Sequence, residues 1–199
     1  MAGALLAQCA SRDEDRRFRV GESGDALVIV GVAETADNRS PAYSLLWRRL
    51  APNGEFADYD DARSINARTN SDDTVRIRGI PGEFALVRVS PGVYALDSAF
   101  AILRERGVNY IAQGLIQHAE RPSFEVAPGE AIYIGIWEMD IEGADAATRL
   151  WRLDPADLRA VGRASRDRFV GEARVRETSP RAVPCRPQRM NNVSQRQVC

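Results

Sequence analysis

The chain has 199 residues and a mass of 22.0 kDa, with 44% hydrophobic and 28% charged residues; this balance excludes an intrinsically disordered chain, a collagen and a polytopic membrane protein. Its 27 basic residues, all arginine, face 28 acids for a net charge of -1 and a pI near 6.0, so no global field draws it to nucleic acid or anionic lipid. The length fits one domain of roughly 150 residues with tails, large enough to bury a core without metal or many disulfides.

Residues 1–17 are expected to be a leader and tether. The run Met1-Ala-Gly-Ala-Leu-Leu-Ala-Gln-Cys9 places Leu6 and Ala7 where a bacterial lipobox has them, which makes Cys9 the expected lipidation site. Gln8 stands where lipoproteins prefer Gly, Ala or Ser, and the run lacks the basic and full apolar regions of a signal peptide. A start placed too far downstream would account for the short leader, and an ordinary apolar terminus is the alternative. Residues 10–17 are charged and carry no apolar period, so ordered chain is expected from Phe18.

From Phe18 to Arg176 short β-type runs alternate with Gly, Pro, Asn and Asp clusters, the spelling of an all-β domain. Ala26-Leu-Val-Ile-Val-Gly-Val32 is apolar throughout and predicts a central strand buried on both faces. Tyr43–Leu50 follows as a strand, then a polar stretch, Ala51–Asp73, as a long loop or ragged hairpin. Thr74-Val-Arg-Ile-Arg78 alternates and predicts a half-exposed strand. Ser90-Pro91-Gly92 predicts a turn joining Phe84–Val89 and Val93–Phe100 into a hairpin, and Pro128-Gly129 predicts a second hairpin within Phe124–Met139. Gly107–Ile116 and Thr148–Leu153 complete eight or nine strands. The expectation is a mainly β fold, an antiparallel β-sandwich.

One short helix is predicted over 154–169. Asp154 supplies an N-cap and Pro155 the first helical position, while Leu158, Val161, Ser165 and Phe169 share a face. Past Arg176 the period vanishes, and residues 177–199 read as a basic tail. From Ala173 to Cys199 six arginines face one acid, Glu177, for a charge of +5. Cys185 and Cys199 flank 13 residues there; in an oxidising compartment they can pair and close the tail, worth about 3 kcal/mol for a loop of that size. Two unpaired thiols or a pairing between chains are the alternatives.

Val89-Ser-Pro-Gly-Val-Tyr-Ala-Leu96 followed by Phe124-Glu-Val-Ala-Pro-Gly-Glu-Ala-Ile-Tyr-Ile-Gly135 resembles the functionally unassigned bacterial envelope lipoproteins that carry a transthyretin-like or carboxypeptidase-regulatory-like β-sandwich. The resemblance covers residues 84–139 and implies a fold and a compartment, the cell envelope. It transfers no catalytic residue.

No catalytic set stands out. Gly21-Glu-Ser-Gly-Asp25 lacks the final glycine of a nucleophile elbow and precedes its strand instead of following one. His118 is the lone histidine, so a hydrolase would have to work through it with an acid from Asp58–Asp61; an exposed loop histidine is the plainer reading. Asp58-Tyr-Asp-Asp61 with Asp72-Asp73 does not have EF-hand spacing and reads as solvated loop, so no metal and no cofactor are expected. Trp47, Trp137 and Trp151 lie on predicted strands, where burial is usual, although exposed tryptophans would suit sugar stacking. The expected function is a non-enzymatic envelope lipoprotein acting as a binding or structural module. Its partner would be an envelope protein or a glycan, not nucleic acid, with membrane contact only through a lipid on Cys9. A carbohydrate- or peptidoglycan-binding domain and a His118 hydrolase are the alternatives.

Overall fold

A run with no polar face must be sheltered on both sides, and residues 26–32 are. The computed structural model describes residues 17–34, 42–58, 63–105, 108–115, 120–142, 145–184, 186–189 and 195–198. In chain order its strands are β1 (Phe18–Arg19), β2 (Ala26–Glu34), β3 (Ala42–Arg49), β4 (Ser64–Arg68), β5 (Glu83–Val89), β6 (Gly92–Glu105), β7 (Val108–Leu115), β8 (Glu120–Val126), β9 (Ala131–Glu142) and β10 (Asp145–Arg152). Helix α1 (Pro155–Ala164) follows, then β11 (Phe169–Val170), β12 (Arg174–Val175), β13 (Ser179–Ala182), β14 (Arg186–Arg189) and β15 (Gln195–Val198). The protein is mainly β with one helix among the described residues.

Two larger sheets dominate. Sheet I has the order β10-β9-β2-β5, with β12 also on β9; sheet II has the order β13-β8-β6-β3-β4, with β7 also on β6. β2 lies between β9 and β5, as its sequence predicts. Ala26, Val28, Val30 and Val32 face a cluster that also takes Leu45 and Trp47 from β3, Ile65 from β4, Leu96 from β6 and Phe124 from β8. Leu27, Ile29 and Ala33 face the opposite way, into a second cluster closed by Val161 of α1, Phe18 and Phe169. Period-two alternation therefore makes one strand the floor of both cores.

The antiparallel expectation is corrected in sheet I, which is mixed: β2 runs parallel to β9, and β12 is also parallel to β9. The small β1–β11 pair is parallel as well. Two strands that are both buried on both faces need a long connection to lie side by side in this sense, and here sheet II supplies it. A bulge sits in β9 opposite β2, where Ile29 pairs Tyr133 but Gly31 pairs Ile136. Gly135 takes the extra position with φ +91°, a conformation that suits a residue without Cβ.

Both predicted Pro-Gly hairpins are corrected too. β5 belongs to sheet I and β6 to sheet II, and likewise β8 belongs to sheet II and β9 to sheet I. Each corner reverses the chain as its residues require, but hands it to the other sheet. The reason is the shared core: Ala85 and Val89 on β5, and Tyr94 and Leu96 on β6, bury into the same cluster from opposite layers. A local turn fixes the reversal and not the partner.

Thr74–Arg78 forms no extended strand; it contributes one isolated bridge, Val75 to Phe84. Within the stretch read as loop or ragged hairpin, β4 pairs antiparallel with β3. α1 begins where predicted, with the Asp154 side chain accepting from Ala156 N and proline in the first turn. It stops at Ala164, because Ser165 caps it and Phe169 leaves to pair with Phe18. In the segment read as tail, β13 pairs antiparallel with β8.

Replacing Trp47 by alanine removes one of the two fully buried tryptophans among the described residues and is expected to cost about 3–5 kcal/mol. Gly82 has φ +89°, and a Cβ there would overlap the carbonyl oxygen of Val32, so Gly82→Ala is expected to cost about 1–3 kcal/mol. Urea midpoints followed by far-ultraviolet circular dichroism check both; an unchanged midpoint for Trp47→Ala would contradict the shared core.

Candidate functional site

A concave polar surface lies where, among the described residues, β4 ends sheet II and β5 ends sheet I. Alternation sets its walls. Ile65 and Ala67 of β4 point into the core, which turns Asn66 and Arg68 outward. On β5 Ala85 and Val89 point inward, which turns Leu86 and Arg88 away. Between the two strands is a cleft of about 470 Å³ lined by Arg68, Arg88, Arg168, Asp73, Ser71 and Thr74 among others. Three guanidinium groups thus come to one hollow from β4, β5 and the turn after α1, against a single acid, Asp73.

The rim of the cleft is built by hydrogen bonds. Thr74 closes a turn, its N–H donating to Ser71 O at 3.2 Å while its hydroxyl oxygen lies 2.7 Å from the same carbonyl. Arg168 Nη1 donates to Asp73 O at 2.6 Å, tying the end of α1 to that turn. Beneath it Glu83, only 4% exposed, accepts from Asn70 N at 2.8 Å and from the Thr74 hydroxyl, and pairs with Arg76. Burial pushes the Glu83 carboxyl up, but the Thr74 hydroxyl, the Arg76 guanidinium and the Asn70 N–H outweigh it and hold it below its ordinary value. A second hollow of about 400 Å³ lies next along the chain, beside Arg76, Arg78 and Glu83.

Two other polar clusters act as braces, one buried in sheet II and one half-exposed under α1. On the outer face of sheet II a bulge in β6 displaces Asp97, since Leu46 pairs Ser98 but Trp47 pairs Leu96. Arg121, 1% exposed, donates from Nη1 to the bulge carbonyls of Leu96 and Asp97 at 3.0 and 2.7 Å. Arg48 stands 3.7 Å from Asp97, and both arginines lie over the Phe56 ring. Burial lowers the Arg121 pKa and Asp97 opposes that shift; an arginine stays protonated regardless.

Under α1, Arg152 grips Asp157 with two bonds of 2.6 and 2.9 Å and Asp154 with one of 3.0 Å. The hydrogen bonds that Arg152 donates to Asp157 raise its pKa. Tyr133 lies nearby with its hydroxyl buried, and burial followed by the Asp157 charge raises its pKa.

Cys9, His118, Cys185 and Cys199 lie outside the described residues, as do Tyr59–Asp61. Asp58 and the Asp72-Asp73 pair are exposed, and Asp73 reaches the cleft. Trp47 and Trp137 are buried against each other, ring centroids 5.0 Å apart, whereas Trp151 is 44% exposed. Among the described residues no group of three or more His, Cys, Asp or Glu is placed to hold a metal ion, and no helix is long and apolar enough to cross a membrane. The three cleft arginines stand 20 and 80 residues apart along the chain. The sequence signal for two of them is an arginine at an outward position of β4 and of β5; Arg168, in the turn after α1, carries none.

No protein-family model matches the chain, and no curated protein or solved structure matches it significantly.

The Glu83 carboxyl is lowered in the folded protein, so its contribution to stability is complete above its unfolded value near 4.5 and is lost as pH falls through the folded value. Wild type should therefore exceed Glu83→Gln by a constant margin from about pH 7 to 5, and the margin should shrink below about pH 4.5. Urea midpoints of both proteins across that range measure it.

Proposed function

We propose that the two sheets make a β-sandwich that serves as a non-enzymatic binding module of the cell envelope, tethered through a lipid on Cys9, and that it binds anionic ligands in the cleft between β4 and β5. The observation that carries the reading is the convergence of Arg68, Arg88 and Arg168 on one hollow that also offers the Ser71 and Thr74 hydroxyls. Guanidinium groups match carboxylate and phosphate oxygens with paired donors, and they keep their charge at every physiological pH. Charges on separate elements, braced by the Asp73 carbonyl and the buried Glu83, are held apart before a ligand arrives, which lowers the ordering cost of binding.

The envelope address is supported by the Leu6-Ala7-Gln8-Cys9 sequence and by the resemblance of the Pro-Gly motifs to those of envelope lipoproteins. Sugar stacking would rest on Trp151 alone of the three tryptophans, because Trp47 and Trp137 are in the core.

Binding of poly-L-glutamate, measured by calorimetry at low and high salt, tests the ligand class. Wild type should bind with an affinity that falls as salt rises, and Arg68→Ala/Arg88→Ala/Arg168→Ala should bind at least about tenfold more weakly. Equal binding by the triple variant would remove the cleft from the reading. Labelling cells that express the full gene with a palmitate analogue tests the tether: label on wild type and none on Cys9→Ser is expected, and unlabelled wild type would overturn it.

A further inference from the structure

We propose that Glu83 is a proton-operated latch on the cleft between β4 and β5: its carboxylate gathers the 70–76 segment into the cleft wall, and a proton on it releases that wall, so anion affinity falls on acidification. The proposal rests on the anion-binding reading of the same cleft and adds its regulation.

β4 ends at Arg68 and β5 begins at Glu83, and the chain from 69 to 82 belongs to no strand or helix. Thr69 is fixed to β3: its N–H donates to Tyr43 O and its hydroxyl oxygen accepts from Tyr43 N, both at 2.9 Å. Past it, three groups of the segment end on one carboxylate. Glu83 accepts from Asn70 N at 2.8 Å and from Arg76 on Oε1, and from the Thr74 hydroxyl on Oε2. The segment also meets β5 through the Val75–Phe84 bridge. Asn70 has φ +55°, a left-handed conformation that, among the described residues, only glycines otherwise adopt. Such a backbone persists where its surroundings hold it. Here the hold is the Glu83 carboxylate on its N–H, together with Arg76, which donates to its side-chain oxygen at 2.7 Å.

The latch works through charge. A carboxylate only accepts, and its two oxygens match the three donors that converge on them. Once protonated it has no charge for Arg76 and carries an O–H where a lone pair is needed; neither the Asn70 N–H nor a guanidinium can accept that proton. The charged groups facing Glu83 are Arg76, which pairs with it, and Arg78, which lines the same hollow; opposite it on β2 stands Val32. Both are cations, which favour the carboxylate, and the carboxyl is held below its ordinary value despite its burial.

The wall so held is part of the cleft. Ser71, Asp73 and Thr74 line the hollow of about 470 Å³, and Arg168 is tied to Asp73 O at 2.6 Å. Releasing the segment takes away the two hydroxyls and the brace on Arg168, while Arg68 and Arg88 keep their places on β4 and β5. Affinity is therefore expected to drop, not vanish.

Calorimetry of wild type and Glu83→Gln with dextran sulfate, whose own charge is constant from about pH 7 to 3.5, tests the latch. At neutral pH Glu83→Gln should bind about tenfold more weakly than wild type, and the ratio of the two affinities should close toward one below about pH 4.5. Comparing the two proteins at each pH cancels the rise in overall positive charge as other carboxyls titrate. Amide exchange gives a reading in wild type alone, which decides the matter if Glu83→Gln does not fold: protection at Asn70 should be lost on acidification while Val28 in β2 stays protected. A ratio of one at neutral pH, a ratio that does not change with pH, Asn70 protection that persists in acid, or loss of both amides together would each overturn the latch and leave the cleft. No binding of dextran sulfate by wild type would overturn the cleft instead, and Asn70 exchange would still decide whether Glu83 holds the segment.

Discussion

The contact on which the rest depends is the meeting of the two inner sheet faces around Trp47. Its indole stands edge-on to Trp137 at 5.0 Å and tilted against Phe124 at 5.4 Å, while Phe124 stacks on Tyr94 at 5.6 Å. Trp47, Phe124 and Tyr94 come from sheet II and Trp137 from sheet I, so this aromatic group spans the layers. Aromatic rings bury much apolar area and prefer such offset and edge geometries. With the centre filled in this way, strands on each side must present their apolar faces inward, and every crossing of the chain must deliver the next strand to whichever layer still lacks one.

That requirement explains the routing. The chain passes from β5 to β6 and from β8 to β9 by tight corners between layers, and β9 arrives parallel to β2 instead of beside β8. Strands buried on both faces gain most at the centre of a sheet, and β2 and β9 are such strands, with α1 and the Phe18–Phe169 pair covering their outer side. Three of the charged groups trapped by this packing are braced by charge-assisted bonds: Arg121 to the β6 bulge, Glu83 to the turn near Thr74, and Asp157 to Arg152. An unpaired buried charge would cost several kcal/mol, whereas a paired one holds a loop in place. The braces therefore act as rivets that fix segments without ladder bonds of their own.

Among the described residues β4 ends one large sheet and β5 the other, and the candidate cleft lies between them. Most strand edges are covered by further segments: β9 carries both β10 and β12, and β8 carries β13. Among the described residues the outer side of β5 carries the Val75 bridge and the turn before it, and there the arginines gather. A cleft of this kind needs no catalytic machinery. It is a charged hollow set on strands whose other faces pack into the core.

The sequence by itself determined the β character, the doubly buried β2, the turn at each Pro-Gly pair and the Asp154-Pro155 start of α1. Each of these rests on interactions within a few residues, which a one-dimensional pattern records in full. It did not determine that β2 and β9 run parallel, that the Pro-Gly corners cross between sheets, or that Thr74–Arg78 gives a single bridge despite its alternation. Those outcomes depend on which distant faces bury together, and alternation shows only that a face exists. The cleft was legible only as scattered outward arginines. Arg68, Arg88 and Arg168 become neighbours because β4 and β5 end different sheets and α1 returns its last turn to the same edge, a juxtaposition that belongs to the packing of the whole core and to no local stretch of the chain.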